Sequence, residues 1–71
     1  MLRVSNIDVH LTDLSCSSFN KAKTNCKFLT YDYKGSFFVI IIHFENNSIR
    51  EVAFPANKID YIDCVQEYSR R

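Results

Sequence analysis

Glycine and proline occur once each in this chain, as Gly35 and Pro55, and tryptophan does not occur at all. That poverty excludes collagen-like, linker-like and low-complexity classes. Charge of one sign is also missing. Nine Lys or Arg stand against eight Asp or Glu, a formal +1, which argues against a polybasic nucleic-acid binder. Long apolar runs are absent as well: the longest, Phe37 to Ile42, has six residues, whereas a bilayer crossing needs roughly 20. The opening residues, Met1-Leu2-Arg3-Val4-Ser5-Asn6, have neither an uncharged apolar stretch nor a small-residue cleavage site. No signal peptide is expected from them, and the expected location is cytoplasmic, with no membrane partner.

What is present suffices for a small core. Apolar residues make up 46% of the 71 positions, too many for a disordered tail. The length predicts one small domain over residues 1–71. Below roughly 70–80 residues a lone core supplies only about 3–5 kcal/mol, so a partner or a homo-oligomer is a natural way to complete it. Three cysteines, Cys16, Cys26 and Cys64, form an odd set, which fits a reducing compartment better than a disulfide framework. Zinc sites pair their ligands two to four residues apart. Cys16 and Cys26 are ten apart, and His10 and His43 have no close partner. No metal and no cofactor are expected.

The apolar pattern predicts a mainly β chain. In residues 2–11, Leu2 and Val4 share one parity, while Ile7, Val9 and Leu11 share the other. The change at Ser5-Asn6 predicts a β-bulge within one strand. Polar residues from Thr12 to Asn25 predict a loop or a short helix at about residues 15–24; a helix over Ser17 to Lys23, capped by Ser15 or Ser17, would bury Phe19 and Ala22. Residues 26–33 are rich in β-formers, and Lys34-Gly35 offers a reversal. Ser36 to Phe44 is apolar on both parities, as in a strand covered on both faces. Glu45-Asn46-Asn47-Ser48 supplies a second turn, and Ile49 to Phe54 returns with Val52 and Phe54 inward and Glu51 outward. The strand between two hairpins should be central. For the last stretch the favoured reading is a 3₁₀-like turn at Pro55–Lys58 and then a strand, from the β-preference of Ile59, Tyr61, Ile62, Cys64 and Val65. The alternative is an α+β chain with a C-terminal helix at about residues 55–68, because Ile59, Ile62 and Val65 are three apart and Pro55 suits a first helical position.

Arg50-Glu51-Val52-Ala53-Phe54-Pro55-Ala56-Asn57-Lys58-Ile59 resembles the end of a small SH3-like barrel, where an aromatic–proline–small–asparagine step leads through one 3₁₀ turn into the closing strand. Tyr31-Asp32-Tyr33 is similar to the tyrosine-rich opening motif of SH3 domains. The resemblance implies a small antiparallel sheet or five-stranded SH3-like barrel. It covers about fifteen residues, the intervening spacing is too short, and the tryptophan of the peptide groove is missing. Proline-peptide binding is therefore not implied.

No catalytic constellation emerges, and the chain is read as non-enzymatic. His43 lies on the central strand, where a hydrogen-bonded structural role is expected, and His10 is read as facing solvent. Asp60 and Asp63 share a face only on a helix. Gly35 alone cannot build a phosphate-cradling loop. Charge does segregate: Lys21, Lys23, Lys27 and Lys34 against Asp32 give +3 over residues 21–34. Glu45, Glu51, Asp60, Asp63 and Glu67 against Arg50 and Lys58 give −3 over residues 45–67. With Lys21, Lys23 and Lys27 near Tyr31 and Tyr33, one reading is a single-stranded nucleic-acid-binding β-barrel that stacks bases.

The favoured reading is a small protein-binding module with a larger protein or nucleoprotein partner. Tyrosine and arginine dominate interface energies, and Tyr31, Tyr33, Lys34, Arg50, Tyr61, Tyr68 and Arg70 are the candidate partner-binding residues. A small stand-alone chain of this kind resembles, in size and style, accessory proteins of phages and mobile elements that inhibit a host enzyme or defence complex by direct binding.

Overall fold

The computed structural model describes residues 3–66. The elements in order are β1 (Val4–Leu11), β2 (Cys16–Asn20), a single helical turn α1 (Lys21–Thr24), β3 (Phe28–Lys34), β4 (Phe37–His43), β5 (Ile49–Pro55), a 3₁₀ turn (Ala56–Lys58) and β6 (Ile59–Gln66). All pairings are antiparallel and form one curled sheet, a half-barrel. β6 runs along one edge of β1, from Val4↔Gln66 to Leu11↔Ile59. β2 must then occupy the other edge, at Asn6 to His10. Beyond its end the same edge meets β3 through Val4↔Leu29, and β3, β4 and β5 follow in sequence.

Two irregularities in the β1–β6 ladder reconcile the side-chain pattern with the core. The register shifts between Val4 and Asn6, so Val4, Ile7 and Val9 are all fully buried despite their mixed parity. The expected bulge at Ser5-Asn6 is present. A second shift sets His10 opposite Tyr61 but Leu11 opposite Ile59, leaving Asp60 unmatched. Ile59 and Ile62 therefore both pack against the core although they are three apart. That spacing, which also suited a C-terminal helix, arises from a bulged strand. Of the alternative helix at 55–68, the described residues 55–66 form a 3₁₀ turn and a strand instead. Pro55, at φ −61° and ψ 128°, closes β5, and the 3₁₀ turn ends with the Ile59 N–H on the Ala56 carbonyl.

The polar segment before β3 forms a five-residue strand followed by one helical turn. Cys16–Asn20 pairs with β1, with Phe19 opposite Ile7 on the inner face. Helix is confined to one turn, later than the expected Ser17–Lys23. Its cap is Asn20, whose Oδ1 accepts from Ala22 N at 2.9 Å and Lys23 N at 3.3 Å. Asn25, in the left-handed region at φ 55°, stops it. The neighbouring β1 edge supplies backbone partners that a sequence window cannot see.

β4 is central, between β3 and β5. Phe38, Ile40 and Ile42 point inward and join Leu29, Val4, Ile7, Val9 and Cys26 in the core. Its other face is covered differently. Val39 is only 4% exposed. The register places it beneath the diagonal from Lys34 on β3 to Glu51 on β5, whose side chains meet at 3.2 Å. A lysine laid along such a diagonal can cover apolar surface with its aliphatic stem while its ammonium stays wet.

Candidate functional site

The sheet has two ends with different chemistry. One collects the Asp13–Leu14 turn, the Lys34–Gly35 hairpin and the 3₁₀ turn. Thr12 N–H donates to the Lys58 carbonyl at 2.9 Å and Ala56 N–H to the Ser36 carbonyl at 2.8 Å, which ties the three together. Between them lies a slot of about 260 Å³ lined by Leu11, Thr12, Asp13, Phe54, Pro55 and Lys58. Its floor is apolar, and its rim carries one carboxylate and one ammonium.

Four exposed apolar side chains stand at this end of the sheet, none of them part of the slot's own lining. Leu14 is 94% exposed, Tyr33 63%, Tyr61 53% and Phe37 46%. Each connects to the lining. Leu14 N–H donates to the Leu11 carbonyl at 3.0 Å. Tyr33 lies beside Phe38, ring centroids 5.1 Å apart, and Phe38 is opposite Phe54. Phe37 is opposite Pro55. Tyr61 stacks on His10, the neighbour of Leu11, at 4.1 Å and 11°.

Leu14 is held out by a built turn. Its φ is 73°, a left-handed conformation that costs a leucine about 1–2 kcal/mol. Asp13 Oδ1 accepts from both Ser15 Oγ and Ser15 N, and Leu11 N–H donates to the Ser15 carbonyl. The Ser15 hydroxyl first, and its backbone N–H second, hold the Asp13 carboxyl below its ordinary range.

The opposite end carries α1 and the β4–β5 hairpin. Lys21 and Lys23 lie on α1, and the Lys27 ammonium donates to Asn47 Oδ1 at 3.3 Å. A hollow of about 410 Å³ there is lined mainly by Ser5, Asn20, Lys21 and Asn25. A strand rises about 3.3 Å per residue, so Lys27 and Tyr33 are roughly 20 Å apart along β3. Tyr33 is thus well separated from the lysines, while Tyr31, four residues from Lys27, is about 13 Å away along the strand.

The candidate partner-binding residues divide similarly. Tyr33, Lys34 and Tyr61 stand at the slot end. Tyr31 is half-buried against Phe38, with centroids 5.6 Å apart. Arg50, opposite Ile42, is at the far end of β5. Tyr68 and Arg70 lie outside the described residues. Leu14 and the Leu11–Phe54–Pro55 floor were missed by sequence reasoning. The available signal was Asp13-Leu14-Ser15, an aspartate positioned to hydrogen-bond two residues on.

Histidine geometry bears on chemistry. His43 Nε2 and Thr30 Oγ1 are hydrogen-bonded at 3.0 Å, and the imidazole stacks on Phe28 at 4.2 Å. Arg3 lies over the other part of this stack, 4.1 Å from the Phe28 centroid. His10 is opposite the exposed Cys16 on β2. Its ring nevertheless lies on Tyr61 of β6, and its Nε2 faces Asp63 at 3.7 Å. The contacts of the His10 ring are thus with β6, on the side of β1 opposite to β2. Cys64, beside Asp63, has its thiol pushed up by burial and then by that carboxylate. Among the described residues, no cluster of three or more His, Cys, Asp or Glu side chains is arranged to hold a metal ion, and no helix is long and apolar enough to cross a membrane.

No family model, curated protein or solved structure matches the chain. Its function is therefore argued from this geometry.

Proposed function

We propose that this chain is a non-enzymatic protein-binding module that docks a larger protein or nucleoprotein through its slot end. In this reading it works as phage and mobile-element accessory proteins do, inhibiting a host enzyme or defence complex by occupying a surface. One observation carries the reading. Four of the six large apolar side chains exposed among the described residues, Leu14, Tyr33, Phe37 and Tyr61, stand at the end of the sheet that holds the slot, with Phe37 and Tyr61 on its outer face. Exposed apolar clusters rimmed by polar groups mark interaction sites, and tyrosine anchors contribute most where they are rigidly presented.

The test compares affinity purifications from host extract with wild type, a Leu14→Asp and Tyr33→Ala double variant, and a Lys21→Glu and Lys23→Glu double variant. Recovery of a stoichiometric protein by wild type and the lysine variant, but not by the slot-end variant, is expected. Equal recovery by all three refutes the site. Retention on single-stranded oligonucleotide that falls steeply with salt and vanishes in the lysine variant favours nucleic-acid binding instead.

A further inference from the structure

β5 is the last strand of its side of the sheet. β4 holds one of its edges and, among the described residues, no strand holds the other. The chemistry of that free edge follows from the bonds flanking the β4–β5 ladder. Phe44 N–H donates to the Ser48 carbonyl at one end, and Ala56 N–H to the Ser36 carbonyl at the other. In an antiparallel ladder, alternate residues direct both N–H and C=O at the same neighbour. By that parity Arg50, Val52 and Phe54 bond to Ile42, Ile40 and Phe38, while Ile49, Glu51 and Ala53 turn their backbone groups outward. Pro55 shares the outward parity, so its missing N–H falls on the free edge, where proline is tolerated.

A strand added to this edge must keep inner side chains beside inner side chains. Centring an antiparallel pair of β5 strands on Glu51 or Arg50 sets like charges opposite each other, which is unfavourable. Centring it on Ala53 leaves Ile49 and Arg50 unmatched. Centring it on Val52 pairs the whole strand: Glu51 with Ala53 of the second copy, Arg50 with Phe54, and Ile49 with Pro55. The outward groups of Glu51 and Ala53 then exchange both hydrogen bonds on each side of the two-fold. The Ile49 N–H reaches the Pro55 carbonyl, while the Ile49 carbonyl, facing a proline without an N–H, is left to water at the end of the pair.

The same register joins two exposed side chains that one copy keeps at opposite ends. Phe37 is 46% exposed beside Pro55, and Ile49 is 58% exposed at the start of β5. Across the pair, Phe37, Pro55 and Ile49 of the second copy form one apolar row. We infer that the chain forms a two-fold dimer in which β5 pairs antiparallel with β5 of a second copy, centred on Val52. The row takes up Phe37 and Pro55 at the slot end, while Leu14, Tyr33 and Tyr61 stay outside it.

Sedimentation velocity from micromolar to millimolar concentration tests this, with Ala53→Pro as the diagnostic variant. That change removes an outward N–H and leaves the β4 ladder intact. Wild type should dimerise with rising concentration, and Ala53→Pro should weaken association at least about tenfold, equivalent to about 1.4 kcal/mol, at an unchanged melting temperature. Leu14→Asp should dimerise normally. A wild type that stays monomeric throughout, a folded Ala53→Pro that dimerises normally, or loss of dimer in Leu14→Asp each overturns the inference. If Ala53→Pro fails to fold, Val52→Cys in a Cys16→Ser, Cys64→Ser background should cross-link under mild oxidation. Cross-linking no faster than an Ala53→Cys control also overturns it.

Discussion

Replacing Leu14 with glycine should stabilise the protein while weakening its binding to a partner. The side chain is 94% exposed, so its removal takes almost nothing from the core. Its backbone sits at φ 73°, which costs leucine about 1–2 kcal/mol and glycine nearly nothing. Glycine gives back roughly 0.5–1 kcal/mol because its unfolded chain is freer. The balance is a gain of roughly 0–1.5 kcal/mol, centred near 0.75, which at its centre is a rise in melting temperature of roughly 3–6 °C for a chain of this size. Thermal unfolding followed by circular dichroism reads the first quantity, and partner recovery reads the second. A fall in melting temperature would mean that Leu14 packs against something. A variant more stable than wild type that binds its partner equally well would remove Leu14 from the interface. Either result refutes the reasoning that the turn holds a strained leucine out for binding.

Ile40→Ala, at a fully buried position in the centre of β4, should cost about 2–5 kcal/mol, comparable with the entire stability of so small a core; its far-ultraviolet spectrum at 25 °C should be that of a largely unfolded chain. Thr30→Val keeps the shape of a side chain that is 1% exposed but removes the hydroxyl at 3.0 Å from His43 Nε2, and should cost about 1 kcal/mol in denaturant titration. Because the Asp13 carboxyl is held low by Ser15, its contribution is present above the unfolded-state value near 3.9 and fades as pH falls through the lower folded value; carbon-detected titration should place Asp13 below that reference, and Ser15→Ala should move it part of the way back, since the backbone N–H at residue 15 still donates. The Cys64 thiol, raised by burial and Asp63, should be alkylated more slowly near pH 8 than a cysteine in a short peptide, and Asp63→Asn should narrow the difference.

Much of the fold was readable because strand periodicity and turn chemistry are local. The parity change at Ser5-Asn6 announced the bulge, Gly35 supplies φ 61° at its hairpin, and Asn47 supplies φ 69° at the next. The step from Phe54 through Pro55 to Lys58 foretold the 3₁₀ turn and the strand after it. Where the reading was ambiguous, the deciding partner lay elsewhere in the chain. Cys16–Asn20 is a strand because β1 offers it an edge. Ile59 and Ile62 share the core because β1 forces Asp60 out of register.

The candidate site was less legible for the same reason. Tyr33, Lys34 and Tyr61 could be nominated from residue type, but residue type does not say which end of a sheet a side chain occupies. Lys27 and Tyr33 are near in sequence yet separated along β3, because an extended strand carries its residues apart. Leu11 is far in sequence from Phe54 and Pro55, yet the three line one slot, because the chain returns there through three turns. Taken alone, the sequence determined a β chain, its hairpins, its central strand and the parity of its inward face, since each depends on neighbours within a few residues. Tertiary structure decided which strands meet β1, which edges stay open and which exposed side chains converge, since those depend on hydrogen-bond partners supplied by distant segments.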